Sequence, residues 1–433
     1  MSRFFKRHLP ILLLGCIALI AIGLFISRPA PPQPQPAQPR PALSMLAAPP
    51  DWSVLEIYQN TVTRVEFERL LTTVFTTGPA WKSCITLDEG EARIQTGNPS
   101  PDDLFHLRFS RAGSAAIAPR HWRTASELPP STPEKPLAGL KIAIDPGHIG
   151  GAWARMEERW FVVGNGTPVQ EGDMTLLVAQ LLKPRLEALG AAVTLVRDQL
   201  EPVTAVRPDA LLTLARESSP AESPQKLAER LFYRTAEIRA RAELVNHVIK
   251  PDLVLCLHFN AEAWGDPLSP TLIDRTHLHL LLNGAYTDEE VLLADQRFAL
   301  LEKLLQHTHQ EEALVGATVA NTFAEISKLP PYLYPPESTS VRAIPDQPYL
   351  WARNLLANRL YHCPVIFMEP YVMNSTGDYA RIQAGDYPGL REIHGLPQVS
   401  IFHEYADAVA AGLRKYYSQA RTSTSSPQPQ ESH

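Results

Sequence analysis

From Leu137 onward, short apolar segments alternate with longer segments whose apolar residues recur every three to four positions. The short segments predict strands at Leu140–Asp145, Ala192–Val196, Leu253–His258, His277–Leu282 and Pro364–Glu369. The longer segments predict helices at Met174–Leu189, Ala228–His247, Glu289–Gln310 and Glu404–Tyr417. Because alternating strands and helices are typical of α/β proteins, we predict a twisted, largely parallel sheet flanked by helices on both faces.

The first 50 residues differ in composition from the rest of the chain. Residues 1–8 are basic, residues 9–27 are largely apolar, and residues 28–50 are rich in Pro, Ala and Gln. A basic flank before an apolar segment predicts a transmembrane anchor at 9–27, with a cleaved signal peptide and secretion as the alternative. The proline-rich residues predict an extended linker. The remainder is then expected in the cell envelope, on the periplasmic or extracytoplasmic face of the inner membrane.

The boundaries of the remaining regions follow from changes in composition. Residues 51–125 predict a small accessory module, residues 137–417 the α/β domain, and residues 418–433 a disordered tail. Insertions are expected near 199–225 and 308–347, and the second is interpreted as a lid. The net charge of −6 and the lack of a long basic segment give no indication of nucleic-acid binding. The four cysteines are too scattered for a disulfide scaffold, and Cys256 and Cys363 are expected to be free buried thiols.

Two of the predicted strands lead to a histidine at or just after their carboxyl ends. The first is followed by Pro146, Gly147 and His148, and the third ends at His258. Ligands of α/β sheets gather beyond the carboxyl ends of strands, so the two imidazoles are expected in one crevice. A single histidine in a turn is more often a structural or solvent-facing group, and His277 and His279 are interpreted in that way.

Two carboxylates accompany these histidines. Glu171 directly precedes a predicted helix, where the helix dipole alone would favour a negative charge. Glu369 ends an apolar strand, and burying its charge is costly unless it meets a metal, a hydrogen-bond donor or solvent. Two imidazoles and one carboxylate form the ligand set of a catalytic zinc site that keeps one position open for water. Glu369 then has the properties of a general base beside that site.

These residues belong to a longer ordered series of motifs. The series comprises Asp145-Pro146-Gly147-His148, Glu171 before a helix, Arg197-Asp198, Arg241 with Asn246, His258-x-Asn260-Ala261, and Pro364 through Glu369 followed by Asn374. Over roughly residues 137–413 it resembles the catalytic domain of the zinc-dependent N-acetylmuramoyl-L-alanine amidases. The resemblance implies that His148, Glu171 and His258 bind one zinc ion per catalytic domain and that Glu369 is the catalytic carboxylate. It also implies that the substrate is peptidoglycan, cut at the amide between N-acetylmuramic acid and L-alanine.

The chain departs from the family pattern at three places. Ile149 interrupts what is usually His-Gly-Gly, the loop between His148 and Glu171 is long, and Pro370-Tyr371 stands where Gly-Phe usually follows the catalytic Glu. Together with the insertions, these differences predict an altered rim around the substrate rather than a lost metal site.

Two other functions remain open. A catalytically silent peptidoglycan-binding anchor would keep the fold without the chemistry, whereas a zinc hydrolase of another amide or peptide would keep the metal site with a different substrate. Retention of all three ligands together with Glu369 favours an enzyme over a silent anchor. The sequence does not identify an activating protein partner.

Overall fold

A computed structural model describes residues 43–97, 103–219 and 221–422. The strands are β1 Ile85–Leu87, β2 Glu91–Gln95, β3 Leu104–Arg108, β4 Lys141–Pro146, β5 Trp160–Phe161, β6 Val169–Gln170, β7 Ala192–Leu195, β8 Leu253–Leu257, β9 Leu278–Leu282, β10 Val341–Ala343, β11 Leu350–Arg353, β12 Val365–Pro370, β13 Arg391–Ile393 and β14 Leu396–Gln398. The helices are α1 Arg64–Leu70, α2 Glu171–Ala188, α3 Leu212–Ser218, α4 Pro224–Leu231, α5 Glu237–Glu243, α6 Asp288–Val291, α7 Ala294–Leu305, α8 Thr308–Ser327, α9 Leu356–Leu360, α10 Thr376–Ala384 and α11 Ile401–Thr422.

The central sheet has seven strands in the order β10-β11-β9-β12-β8-β4-β7. Strands β7, β4, β8 and β12 are parallel, whereas β9 pairs antiparallel with β12 and parallel with β11. All five strands predicted from the sequence lie in this sheet, so the predicted α/β fold is confirmed. The sheet is mixed, because β9 and β11 run against the four parallel strands.

Helices cover both faces of the sheet. On one face, α2, α8 and α11 pack against the sheet through residues such as Val178, Phe323 and Val409, all fully buried. On the other face, the buried residues Val245 and Tyr361 lie against alternate residues of β8 and β12. The α2 helix begins at Glu171, and its amino end faces the carboxyl ends of the parallel strands. The cysteines Cys84, Cys256 and Cys363 are buried and free, as expected for the last two.

The region 51–125, expected as a separate accessory module, shares a hydrophobic core with a later part of the chain. Its buried residues, including Phe67 and Leu107, pack with Leu300 and Leu304 of α7. Residues 43–50 of the predicted linker are also attached, since the Ser44 backbone N–H donates to Asp295 over 2.8 Å. The described residues from 43 to 422 accordingly belong to one compact unit. The expected small accessory module therefore shares its core with α7.

The segment 308–347, which was expected to be an insertion that acts as a lid, contains a helix of the core. Its first half is the α8 helix, whose residues Val315 and Val319 are fully buried against the sheet. The interpretation of the whole segment as a lid is therefore wrong for 308–327, because these residues complete the core. Similarly, residues 418–422 of the expected tail continue the α11 helix.

The predicted transmembrane helix is corrected by the structure. Over residues 43–97, 103–219 and 221–422, no helix is both long enough and apolar enough to cross a membrane. Residues 1–8, 9–27 and most of 28–50, on which the predictions of a basic flank, an anchor and a linker fell, lie outside the described ranges, as do residues 423–433.

Candidate metal centre

The candidate site lies at the carboxyl ends of the adjacent strands β4, β8 and β12. In the sheet register Pro146 pairs with Leu257, so the next residues on β4 and β8 lie side by side. Gly147 is required at this crossing, because a Cβ atom there would lie 2.2 Å from the His258 ring. The tight backbone allows His148 to reach the same place as His258, with ring centroids 5.1 Å apart.

Glu171 joins the two histidines through its carboxylate. Its Oε2 lies 3.2 Å from Nε2 of His148, and its Oε1 lies 3.1 Å from Nδ1 of His258. The ligand atoms of the three residues all lie within 4.8 Å of one another. The Phe259 backbone N–H also donates to Oε1 over 3.2 Å, which fixes the carboxylate. The predicted ligands are thus brought together by strand ends and a helix start.

This arrangement fits a divalent metal ion. Zinc bonds to nitrogen and oxygen ligands are about 2.0–2.2 Å long, so ligand atoms a little over 3 Å apart can share one tetrahedral ion. Burial disfavours charge on the His148 ring, yet Glu171 and Glu157 together raise its pKa to about 9. Burial lowers the pKa of His258. At Glu171 burial alone would raise the pKa, but the two neighbouring histidines outweigh it and hold the pKa well below its usual range. A cation in this position would replace the proton shared by these groups.

Glu369 lies at the end of β12 in the same cavity as the three ligands. Burial, followed by the negative charge of Glu171, raises its pKa to about 8. A carboxyl group that titrates near neutral pH is suited to proton transfer. The neighbouring strand contributes His279, which pairs with Glu369 in the sheet register and is buried against Tyr332 and Tyr334. His277 and His279 are thus buried members of an aromatic wall beside Glu369 rather than solvent-facing groups.

A buried network holds the loop that carries His148. The Arg241 guanidinium donates to the Asp145 carboxylate and to the backbone oxygens of Pro146 and His148, each over 2.8 Å. The same guanidinium donates to Glu237 over 2.7 Å. This support matters because His148 adopts the left-handed conformation with a φ of 60°, which costs free energy for a residue other than glycine.

Glu157 provides a second support that the sequence did not indicate. Its carboxylate accepts the backbone N–H groups of Ile149 and Gly150 over 2.9–3.0 Å. Its Oε1 also lies 3.6 Å from Nδ1 of His148, on the opposite side of the ring from Glu171. Such a contact selects the tautomer that leaves Nε2 free for a metal. No local sequence pattern marks Glu157, because it lies in the irregular loop between His148 and Glu171.

The ligands and Glu369 line a polar cavity of about 470 Å³. Two further guanidinium groups, Arg159 and Arg353, also line it, and neither was singled out from the sequence. Arg159 lies 3.2 Å from Glu171. Glu262, at the rim, lies 2.7 Å from Arg275.

A second cavity, of about 330 Å³, lies on the other side of His148 and His258. Its lining is largely apolar and includes Tyr233, Leu355 and Leu356. The histidines therefore separate a polar cavity from an apolar one.

Several motif residues support the site without lining either cavity. Arg197 donates to the Gly172 backbone oxygen over 3.1 Å and so holds the start of α2. The Asn374 side chain accepts the Glu262 backbone N–H over 3.0 Å. Asn246 is more remote and bonds the backbone before β12.

Fold and site together define an α/β protein with a candidate His-Glu-His metal centre at the carboxyl edge of its sheet. Solved structures similar to the chain are N-acetylmuramoyl-L-alanine amidases, the family whose motifs the sequence resembles. Ami1 from Mycobacterium abscessus matches at 17% identity over 64% of this chain and 99% of that one, with a TM-score of 0.36. The CwlD amidase from Clostridioides difficile, solved with the GerS lipoprotein, matches at 13% identity over 65% and 99%, with a TM-score of 0.37. No profile of a known protein family matches the chain, and no curated protein matches its sequence.

Proposed function

We propose that this protein is a zinc-dependent hydrolase that cuts the amide bond between N-acetylmuramic acid and L-alanine in peptidoglycan, with one zinc ion per catalytic domain. The observation that carries the proposal is the convergence of His148, Glu171 and His258 beside Glu369 in one polar cavity. The choice of substrate is supported by the ordered motifs between residues 137 and 413. Because peptidoglycan lies outside the cytoplasm, we propose that the protein acts in the cell envelope.

Each side chain has a defined task in this reaction. A zinc ion held by His148, Glu171 and His258 would supply Lewis acidity, which makes water a better nucleophile and stabilises negative charge on the attacked carbonyl oxygen. Glu369 accepts a proton from the attacking water and delivers it to the departing L-alanine nitrogen. This transfer overcomes the poor leaving ability of an amide nitrogen.

The decisive experiment is digestion of purified sacculi by the protein, with and without a chelator, followed by mass analysis of the products. We expect free stem peptides that begin at L-alanine and glycan that has lost its peptides. The chelator should abolish both, and added zinc should restore them. Products cut at a peptide bond instead would favour a hydrolase of another amide. Binding of sacculi without any product would favour the silent anchor.

Zinc content gives an independent measurement. The wild-type protein should contain one zinc ion by elemental analysis, and His258→Ala should lose both metal and activity. The variant His403→Ala is a matched control, because His403 pairs with Asp386 at 2.8 Å, away from the candidate ligands. Stoichiometric zinc in the His258→Ala protein would refute this ligand assignment.

A further inference from the structure

Arg353 is a charged group of the polar cavity that the proposed reaction does not use. It ends strand β11 and lines the cavity together with Glu369. Within the described part of the chain, no carboxylate oxygen lies within 4.0 Å of a guanidinium nitrogen of Arg353. The Arg159 guanidinium, by contrast, lies 3.2 Å from the Glu171 carboxylate. Arg353 therefore brings a positive charge into the cavity without an acidic partner at contact distance.

The backbone of Arg353 is held by strand pairing and by a hydrogen bond, which fixes the point from which its side chain extends. Arg353 pairs with Val341 of β10, and the preceding residues of β11 pair with β9. The fully buried Asn358 donates to the Arg353 backbone oxygen over 3.0 Å. Trp351, two residues earlier on the same face, donates to the Tyr332 backbone oxygen. Because the strand is already paired, binding a ligand at Arg353 requires no ordering of its backbone.

The chemistry of the cavity points to a carboxylate ligand. A guanidinium binds a carboxylate through two parallel hydrogen bonds, and this geometry gives specificity as well as affinity. The acidic group at the opposite rim, Glu262, is already paired with Arg275, so its repulsion of a second anion is reduced. Resting on the proposed function, we propose that Arg353 binds the free α-carboxylate of the second stem-peptide residue, a γ-linked D-glutamate.

The geometry of the substrate agrees with this assignment. The D-glutamate follows the L-alanine whose amide is cut, so its α-carboxylate lies within two residues, about 7 Å, of the scissile bond. A ligand that spans the 470 Å³ cavity can therefore reach Glu369 and Arg353 together. The enzyme should discriminate against wall in which this carboxylate is amidated.

The test compares two soluble substrates that differ at one group. Both are disaccharide muropeptides with the same stem, one with the free α-carboxylate and one with the α-carboxamide. We expect the wild-type protein to cleave the acid with at least about tenfold higher kcat/KM, because a charge-assisted pair is lost in the amide. In Arg353→Gln the preference should disappear, chiefly through a higher KM for the acid, so that the ratio of the two kcat/KM values approaches one. Arg353→Lys, which keeps the charge but not the paired donors, should retain part of the preference.

A matched control and a pH profile separate this role from an effect through Glu369. Arg342→Gln changes an arginine of the neighbouring strand β10 that donates to the Thr76 backbone oxygen and does not line the cavity. This control should keep the full preference for the acid. Equal losses of kcat on both substrates in Arg353→Gln, with a shifted pH profile, would mean that Arg353 acts through Glu369 and would overturn the inference. Equal cleavage of both substrates by the wild type would also overturn it. Cleavage of neither substrate would instead refute the proposed function, and the inference with it.

Discussion

At the scale of single residues, Glu157 offers the sharpest test of how the loop around His148 is held. Glu157→Gln keeps the shape of the side chain but replaces one acceptor oxygen with a donor that faces the N–H groups of Ile149 and Gly150. We expect zinc affinity to fall about 10–100-fold, as is usual when a group behind a metal ligand is changed. The measurement is competition for zinc with a chromophoric chelator. Glu158→Gln, which changes the exposed neighbour, is the control, and equal affinities in all three proteins would contradict the proposed role.

Glu369→Gln tests the proton transfer at the same scale. The amide keeps the volume of the side chain but cannot accept the proton of the attacking water. We expect normal zinc content and a turnover lower by about 10²–10⁴-fold. Elemental analysis and muropeptide cleavage measure the two effects separately. Cleavage at nearly the wild-type rate would exclude Glu369 as the base, and Glu262 would become the next candidate because it lines the same cavity.

The four central residues and supports such as Arg197 and Arg241 were singled out from the sequence, whereas Glu157, Arg159 and Arg353 were not. His148, His258 and Glu369 follow apolar strands, and the carboxyl edge of a sheet brings strand ends together. Arg353 was missed because its short strand follows a proline-rich segment and its long side chain reaches the cavity from a distant position. Glu157 was missed because a loop has no periodicity from which its direction could be inferred.

At the scale of elements, Ile149 explains one departure from the family pattern. Its side chain is fully buried in a cluster that contains Leu211 of the insertion together with Leu227 and Phe232, which follow it. The isoleucine therefore anchors the insertion to the loop that carries His148. Ile149→Ala should lower the free energy of unfolding by about 2–5 kcal/mol, because it leaves a cavity in this cluster. Urea unfolding measures the effect, and Val248→Ala, at a position 72% exposed, should change stability by less than about 0.5 kcal/mol. An unchanged Ile149→Ala protein would show that the insertion is not anchored there.

Sequence periodicity located most elements but not all of their boundaries. The predicted helix Glu289–Gln310 is divided into α6, α7 and the start of α8, because the chain turns sharply at His307, which has a φ of 57°. Strand β10, at the edge of the sheet, and its neighbour β11 were missed because they are short and flank a turn. The antiparallel direction of β9 was also not visible, since an apolar run does not show which way a buried strand runs.

At the scale of the whole molecule, the least predictable feature was the attachment of the N-terminal region. Its apolar pattern indicated a small core, but nothing in residues 51–125 shows that Leu300 and Leu304 complete it. Such contacts join positions that are 193 or more residues apart in sequence, and periodicity reports only neighbouring positions. The α7 and α8 helices consequently connect this region to the central sheet.

The junction of α7 and α8 carries buried carboxyl groups that make the stability of the whole molecule depend on pH. Burial raises the pKa of Glu302, Glu311 and Glu312 to about 7 in the folded protein, from the usual 4.5 of a glutamate side chain. The folded state thus keeps protons that the unfolded chain releases. Their contribution to stability is fully present below about pH 4.5 and is lost as the pH rises through about 7.

The variant Glu312→Gln isolates one of these groups. The amide oxygen can still accept the Val365 N–H, which is 3.0 Å from the native carboxylate, but the side chain no longer ionises. We expect the variant to gain stability relative to the wild type as the pH rises from about 5 to about 8, by on the order of 3 kcal/mol. Urea unfolding at several pH values measures the difference in free energy of unfolding between the variant and the wild type. Groups that titrate alike in both proteins cancel from this difference. Glu325→Gln, on the same helix with a side chain 65% exposed, should show no such trend. A difference between Glu312→Gln and wild type that stays constant with pH would mean that Glu312 is already ionised at pH 5 in the folded protein.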